Sequence, residues 1–201
     1  MILIVDLSWK PDSLSCSEFT GPVSTVVDRT GMASKVVHFS GIDCDTTRDA
    51  RGIILCGTAL KDNDFVSRSD EFTWLTEIKV PVLGICAGMQ VLCQVFGGSV
   101  CKGSEIGMTA IEVLVPDPLF QESEAFQAYE LHSFASNPPG DWVVTAVSDG
   151  YIQAAHHPDK PFFGLMFHPE VRHEGLIVRF LSLCLEETIG KRGMRIPEFH
   201  D

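Results

Sequence analysis

The stretch Pro81-Val82-Leu83-Gly84-Ile85-Cys86-Ala87-Gly88-Met89-Gln90 decides the fold of this chain. An apolar run ends in a cysteine flanked by small residues and passes directly into a helix-like segment. That is the sequence form of a nucleophile elbow, in which a strand, a tight turn and a helix present one reactive side chain. Gly84 and Gly88 relieve crowding where the strand and helix backbones nearly touch. The helix N-terminus supplies free N–H groups and partial positive charge, which favour negative charge on the sulfur and on a developing oxyanion.

Working outward, short β-rich apolar runs recur at 2–6, 35–39, 52–56 and 80–86, separated by turn residues. Continuous apolarity predicts strands covered on both faces, as in a parallel α/β sheet. A short helix is predicted over 71–79, and another over 88–96 that stops at Gly97-Gly98. Runs at 109–115, 142–148, 151–156 and 162–167, joined by Pro, Gly and Asp turns, predict a more antiparallel part. Apolar periodicity over 174–189 predicts an amphipathic C-terminal helix. Residues 7–34 should hold the first crossover helix, yet Pro11, Gly21, Pro22 and Gly31 interrupt them, which predicts at most a short helix from Pro22. The expectation is one α/β domain over 1–190, a mostly parallel central sheet flanked by helices, with a tail over 191–201.

With 201 residues, 45% hydrophobic and 21% charged, the chain can bury a sizeable core without covalent staples. A net charge of −12 repels phosphates and argues against nucleic acid or an anionic membrane as partner. The seven cysteines are odd in number and none are spaced as CxxC, so neither a disulfide framework nor a zinc site is expected, and a reducing cytosol fits best. The run Met1-Ile2-Leu3-Ile4-Val5-Asp6 lacks a basic n-region and a cleavage site, and reads as a core strand rather than a signal peptide. No apolar run reaches the length of a membrane span. His156-His157 reads as a strand-end pair with no third ligand nearby, and Cys93 as core.

A thiol nucleophile needs a base, and the base an orienting group. His168 stands in Phe167-His168-Pro169-Glu170 at the end of an apolar run. Strand ends at the C-terminal edge of the sheet are where α/β proteins place chemistry. Glu170, two residues on, would share a face with His168 in an extended segment and fix the imidazole tautomer.

Taken together, Gly84-Ile85-Cys86-Ala87-Gly88-Met89-Gln90 and Phe167-His168-Pro169-Glu170 resemble the class I, triad-type glutamine amidotransferases, over nearly the whole chain. The resemblance implies a flavodoxin-like fold and a glutaminase without cofactor or metal. In it Cys86 attacks the side-chain amide of L-glutamine, His168 moves the proton and Glu170 stands behind it. It further implies oxyanion donors at the backbone N–H groups of Gly57 and Ala87, and substrate contacts from Gln90. The segment Glu130-Leu131-His132-Ser133-Phe134-Ala135 matches a substrate-holding loop, with Leu131, Ser133 and Phe134 as candidates.

One departure is Cys56-Gly57-Thr58-Ala59-Leu60, where the family pattern has a second glycine and a proline. A Cβ there predicts strain and an oxyanion hole completed only by a partner. The chain contains no P-loop or S-G-G-x-D-S motif, so the ammonia acceptor is expected on a separate synthetase subunit. Glu105-Ile106-Gly107, Asp117-Pro118-Leu119-Phe120 and residues 157–164 resemble the glutaminase part of GMP synthetase, which implies its ATP-pyrophosphatase subunit as partner. The glutaminases of anthranilate and imidazole-glycerol-phosphate synthases are the next resemblance. A partner-independent γ-glutamyl hydrolase and a non-catalytic binding subunit remain the alternatives of other classes.

Overall fold

A computed structural model describes residues 1–121 and 125–192. Among these described residues nine strands form one sheet: β1 (Ile2–Asp6), β2 (Ser34–His38), β3 (Gly52–Leu55), β4 (Val82–Ile85), β5 (Ser99–Val113), β6 (Ala125–Asn137), β7 (Val143–Ser148), β8 (Tyr151–His156) and β9 (Phe162–Leu165). The helices are α1 (Leu14–Arg29), α2 (Cys44–Arg48), α3 (Asp64–Ser67), α4 (Ala87–Val95), α5 (Pro169–Arg172) and α6 (Glu174–Arg192).

Strand order is β2-β1-β3-β4-β9-β8-β7-β5-β6. The first five are mutually parallel, and the remaining neighbours pair antiparallel. The parallel part has the order of a flavodoxin-like sheet with β9 as its fifth strand. Alternate residues of the central strands point to opposite faces, and both faces are covered. Ile2, Ile4, Ile54, Leu83 and Ile85 pack with Val23 and Val27 of α1 and with Phe180 and Leu181 of α6. Leu3, Val5, Ile53 and Leu55 pack with Met89 and Leu92 of α4 and with Phe72 and Leu75. No helix among the described residues is long and apolar enough to cross a membrane.

Residues 7–34 differ from expectation. α1 runs unbroken for 16 residues with Pro22 inside it. Ser13 Oγ caps it by accepting from Cys16 N–H at 3.1 Å. A proline in a helix interior costs about 3 kcal/mol. Burying Val23, Val26 and Val27 against the sheet contributes roughly 1.5–3 kcal/mol each. The buried stripe therefore outweighs the local break.

The segment 130–135, expected as a loop, lies inside β6, a strand of 13 residues. It pairs with β5, which is itself far longer than the expected 109–115. The predicted helix over 71–79 is a 3₁₀ segment at Ser69–Glu77. Phe72 and Leu75 are three apart, so a threefold repeat puts both into the core. Beyond Arg192, the expected tail lies outside the described residues.

Candidate active site

The elbow forms as its residues dictate. Cys86 sits between β4 and α4 at φ 50° and ψ −103°, one of two non-glycine residues with positive φ among those described. Such a conformation costs of order 1–3 kcal/mol and persists only where its surroundings hold it. Here they do: Cys86 N–H donates to Leu165 O at 2.7 Å, tying the turn to β9. A Cβ on Gly84 would lie 2.5 Å from the Gly88 carbonyl carbon, so strand and helix approach as closely as the two glycines permit.

β4 and β9 pair in parallel with Ile85 opposite Leu165. That register brings Cys86, one residue past β4, and His168, three past β9, to the same edge of the sheet. Both are buried, at 3% and 1% exposure. His168 precedes the single turn of α5, with Pro169 in its first turn and Glu170 following. The extended geometry expected for this tripeptide is thus a helix start, and the carboxylate still reaches back. His168 Nδ1–H donates to Glu170 Oε1 at 2.7 Å, which leaves Nε2 as the free nitrogen. His168 N–H donates to Tyr129 O at 2.9 Å, fixing the backbone from the other side.

Burial by itself would lower the His168 pKa. The Cys86 charge and contact, then Glu170, outweigh it and hold the imidazole well above its ordinary value. The sulfur and ring are thus electrostatically coupled, yet Nε2 has no hydrogen-bond partner among the described residues. The Cys86 thiol also lies within donating distance of Leu131 O, at 3.7 Å. Resting enzymes often hold such pairs loosely and tighten them when substrate arrives.

The other expected residues gather round the thiol. Gly57 lies against the imidazole, and a Cβ there would come within 2.5 Å of His168 Cε1. Gln90 Nε2 donates to Phe134 O at 2.9 Å, joining α4 to β6. Ser133 Oγ donates to Leu60 O at 3.4 Å. Cys86, Ala87, Gln90, Leu131, His132, Ser133 and Phe134 line one pocket together with the loop at 58–60. Its free volume is only about 10 Å³, room for roughly one water. A cleft of about 380 Å³ beside Phe120, Phe126 and Leu176 is larger, but Cys86 does not line it. The strain expected where Ala59 replaces a glycine is absent, since Ala59 does not have positive φ.

Sequence reading missed Phe19 and Tyr129, whose rings lie 5.6 and 6.3 Å from the His168 ring. Nothing local marks Phe19. Tyr129 was accessible, because it precedes Leu131 and Ser133 at strand spacing on one face.

The model of the glutamine amidotransferase class-I family matches residues 17–186. A glutamine-hydrolyzing GMP synthase subunit of Pyrococcus abyssi is 34% identical over 171 residues, covering 78% of this chain and 88% of that one. The subunit of the same name from Methanopyrus kandleri is 27% identical over 198 residues, covering 92% of this chain and 100% of that one. GMP synthase of Francisella tularensis is 32% identical over 165 residues, or 78% of this chain, but the match spans only 31% of that longer protein. Among solved structures, a Thermoplasma acidophilum protein described as a candidate GMP synthase subunit superposes with a TM-score of 0.84 at 24% identity, over 95% and 96% of the two chains. That likeness carries the fold, and the family match carries the membership: this chain belongs to the class I glutamine amidotransferases.

Proposed function

We propose that this chain is a glutaminase that hydrolyses L-glutamine to L-glutamate and ammonia through a thioester on Cys86. The sulfur attacks the side-chain amide carbon while His168 Nε2 takes the thiol proton and passes it to the departing ammonia. Water, deprotonated by the same nitrogen, then cleaves the γ-glutamyl thioester. Glu170 keeps Nδ1 protonated, so Nε2 is the nitrogen that exchanges protons. Backbone N–H groups of Gly57 and Ala87 hold the oxyanion, and Gln90, Leu131, Ser133 and Phe134 hold the substrate. The observation that carries this reading is the β4–β9 register, which sets a strained, buried cysteine beside a carboxylate-held histidine.

The ammonia acceptor is a separate synthetase, the ATP-pyrophosphatase subunit of GMP synthetase. Two relatives named as GMP synthase subunits, each covered over most of its length, support that choice. The closed thiol pocket supports partner dependence, because glutamine enters only after β6 or the 58–60 loop moves.

The test is glutamate release from glutamine by the isolated chain and by a mixture with that synthetase, its nucleotide substrate and ATP. Low release alone and at least a tenfold rise in the mixture are expected. Equal release on its own and in the mixture, with turnover of other γ-glutamyl amides, would instead identify a partner-independent hydrolase. No release under any condition would leave a binding subunit.

A further inference from the structure

Three residues separated along the chain meet where β5 pairs with β6. Glu105 is the register partner of His132, and Glu130 precedes His132 by one strand repeat, so all three share a face. One donor atom from each lies within 4.8 Å of the others. His132 Nε2 is 3.3 Å from Glu105 Oε2 and 3.4 Å from Glu130 Oε2.

The hydrogen bonds settle what these atoms offer. His132 Nδ1 faces Gly103 O at 3.1 Å, and a carbonyl only accepts, so Nδ1 carries a proton. In the neutral ring, Nε2 then turns a lone pair toward two carboxylate oxygens. Electron-rich atoms this close, away from water, repel one another unless positive charge lies between them. Glu130 is 0% exposed, yet its Oε1 has no hydrogen-bond partner among the described residues and its Oε2 faces only His132 Nε2, at 3.4 Å. Gln153 Oε1, equally buried, has none either. Glu105, by contrast, is braced: its oxygens accept from Ser148 Oγ at 3.0 Å and from Gln153 Nε2 at 2.6 Å.

A histidine whose second nitrogen donates to a backbone carbonyl, beside a carboxylate held from behind, is the arrangement metal ligands usually have. The spacing agrees. Tetrahedral zinc with bonds of about 2.0–2.2 Å sets its ligand atoms roughly 3.3–3.6 Å apart. Both measured separations fall in that range.

We propose that Glu105, Glu130 and His132 bind a divalent cation of the zinc class, with a fourth position for water. The site adjoins the thiol pocket, which His132 lines beside Leu131 and Ser133, so the cation would brace β6 at the pocket wall. It is independent of the glutaminase reading. Its competitor is a proton, since burial raises the Glu130 pKa, while the neighbouring carboxylates outweigh burial in raising that of His132.

The test uses the full chain carrying Cys86→Ala, which removes the catalytic thiol as a rival ligand. After chelator treatment it is titrated with Co²⁺ and then Zn²⁺. One equivalent of Co²⁺ with visible ligand-field absorption, displaced by Zn²⁺, is expected. Glu130→Gln, added to that background, should weaken Co²⁺ binding by more than about 100-fold, the upper end of what losing a mere supporting partner costs. Glu105→Gln, at a less buried position, should act in the same direction and serves if Glu130→Gln loses native circular dichroism. No absorption at millimolar Co²⁺ would mean a proton alone and overturn the proposal. An unchanged spectrum in the folded Gln variants, or a sulfur-to-cobalt charge-transfer band, would place the metal elsewhere and overturn it equally.

Discussion

Cys86 concentrates backbone strain in the residue proposed as nucleophile. Its positive φ is tolerated by glycine and resisted by any side chain with a Cβ. Both Cys86→Ala and Cys86→Gly are expected to abolish thioester formation. Cys86→Gly should be the more stable of the two by about 1 kcal/mol, read from urea midpoints. Equal midpoints would mean that the turn is relaxed. His168 makes a second prediction at this scale. Because Cys86 is the leading influence raising its pKa, Cys86→Ala should shift the imidazole titration downward, followed by NMR. A native-state pKa above the unfolded one adds stability that is complete below about pH 6.5 and fades as pH climbs through the raised value. The stability gap between wild type and His168→Gln should therefore narrow as pH rises. A gap that widened would reverse the sign of the coupling. Gly57→Ala drives a methyl into His168 Cε1, and a displacement near 1 Å costs about 100-fold in rate. Unchanged turnover would show that the ring yields freely.

At the scale of elements, α1 shows how packing overrides a local signal. Pro22 is exposed, and its missing N–H leaves the Glu18 carbonyl without its helical donor. Pro22→Ala should raise stability by about 1–2 kcal/mol, the helix gain reduced by the looser unfolded chain. A lower denaturation midpoint would mean that Pro22 sets a bend the sheet requires. The elbow was legible because strand, turn and helix are contiguous: the glycines at 84 and 88 announce the close approach that the structure contains. β6 was not legible. Its burial switches between faces along its length, and its edge position leaves Ala125, Gln127 and Asn137 exposed. A strand so irregular declares itself only through β5.

For the whole molecule, the central fact is enclosure. Cys86 is buried, whereas Cys44 and Cys101 are exposed. Alkylation by iodoacetamide, mapped by mass spectrometry, should therefore modify Cys44 and Cys101 first and Cys86 slowly. Addition of the synthetase with its substrates should accelerate labelling at Cys86 selectively. Fast labelling of Cys86 in the isolated chain would refute a closed resting pocket. What the sequence alone determined are the features written in contiguous residues: the β4–Cys86–α4 turn, the His168–Glu170 pair, the two-sided burial of β1, β3 and β4 (though not of the edge strand β2, whose Val36 is exposed) and the family they resemble. Local backbone preference and side-chain spacing suffice for these, since each is set within one turn or one strand. Tertiary structure alone decided that α1 survives Pro22, that 125–137 is a strand, that the thiol pocket is narrow and that Glu105, Glu130 and His132 converge. Each of these depends on which distant segment lies alongside, and that choice is made by burial summed over the entire sheet rather than by any local run of residues.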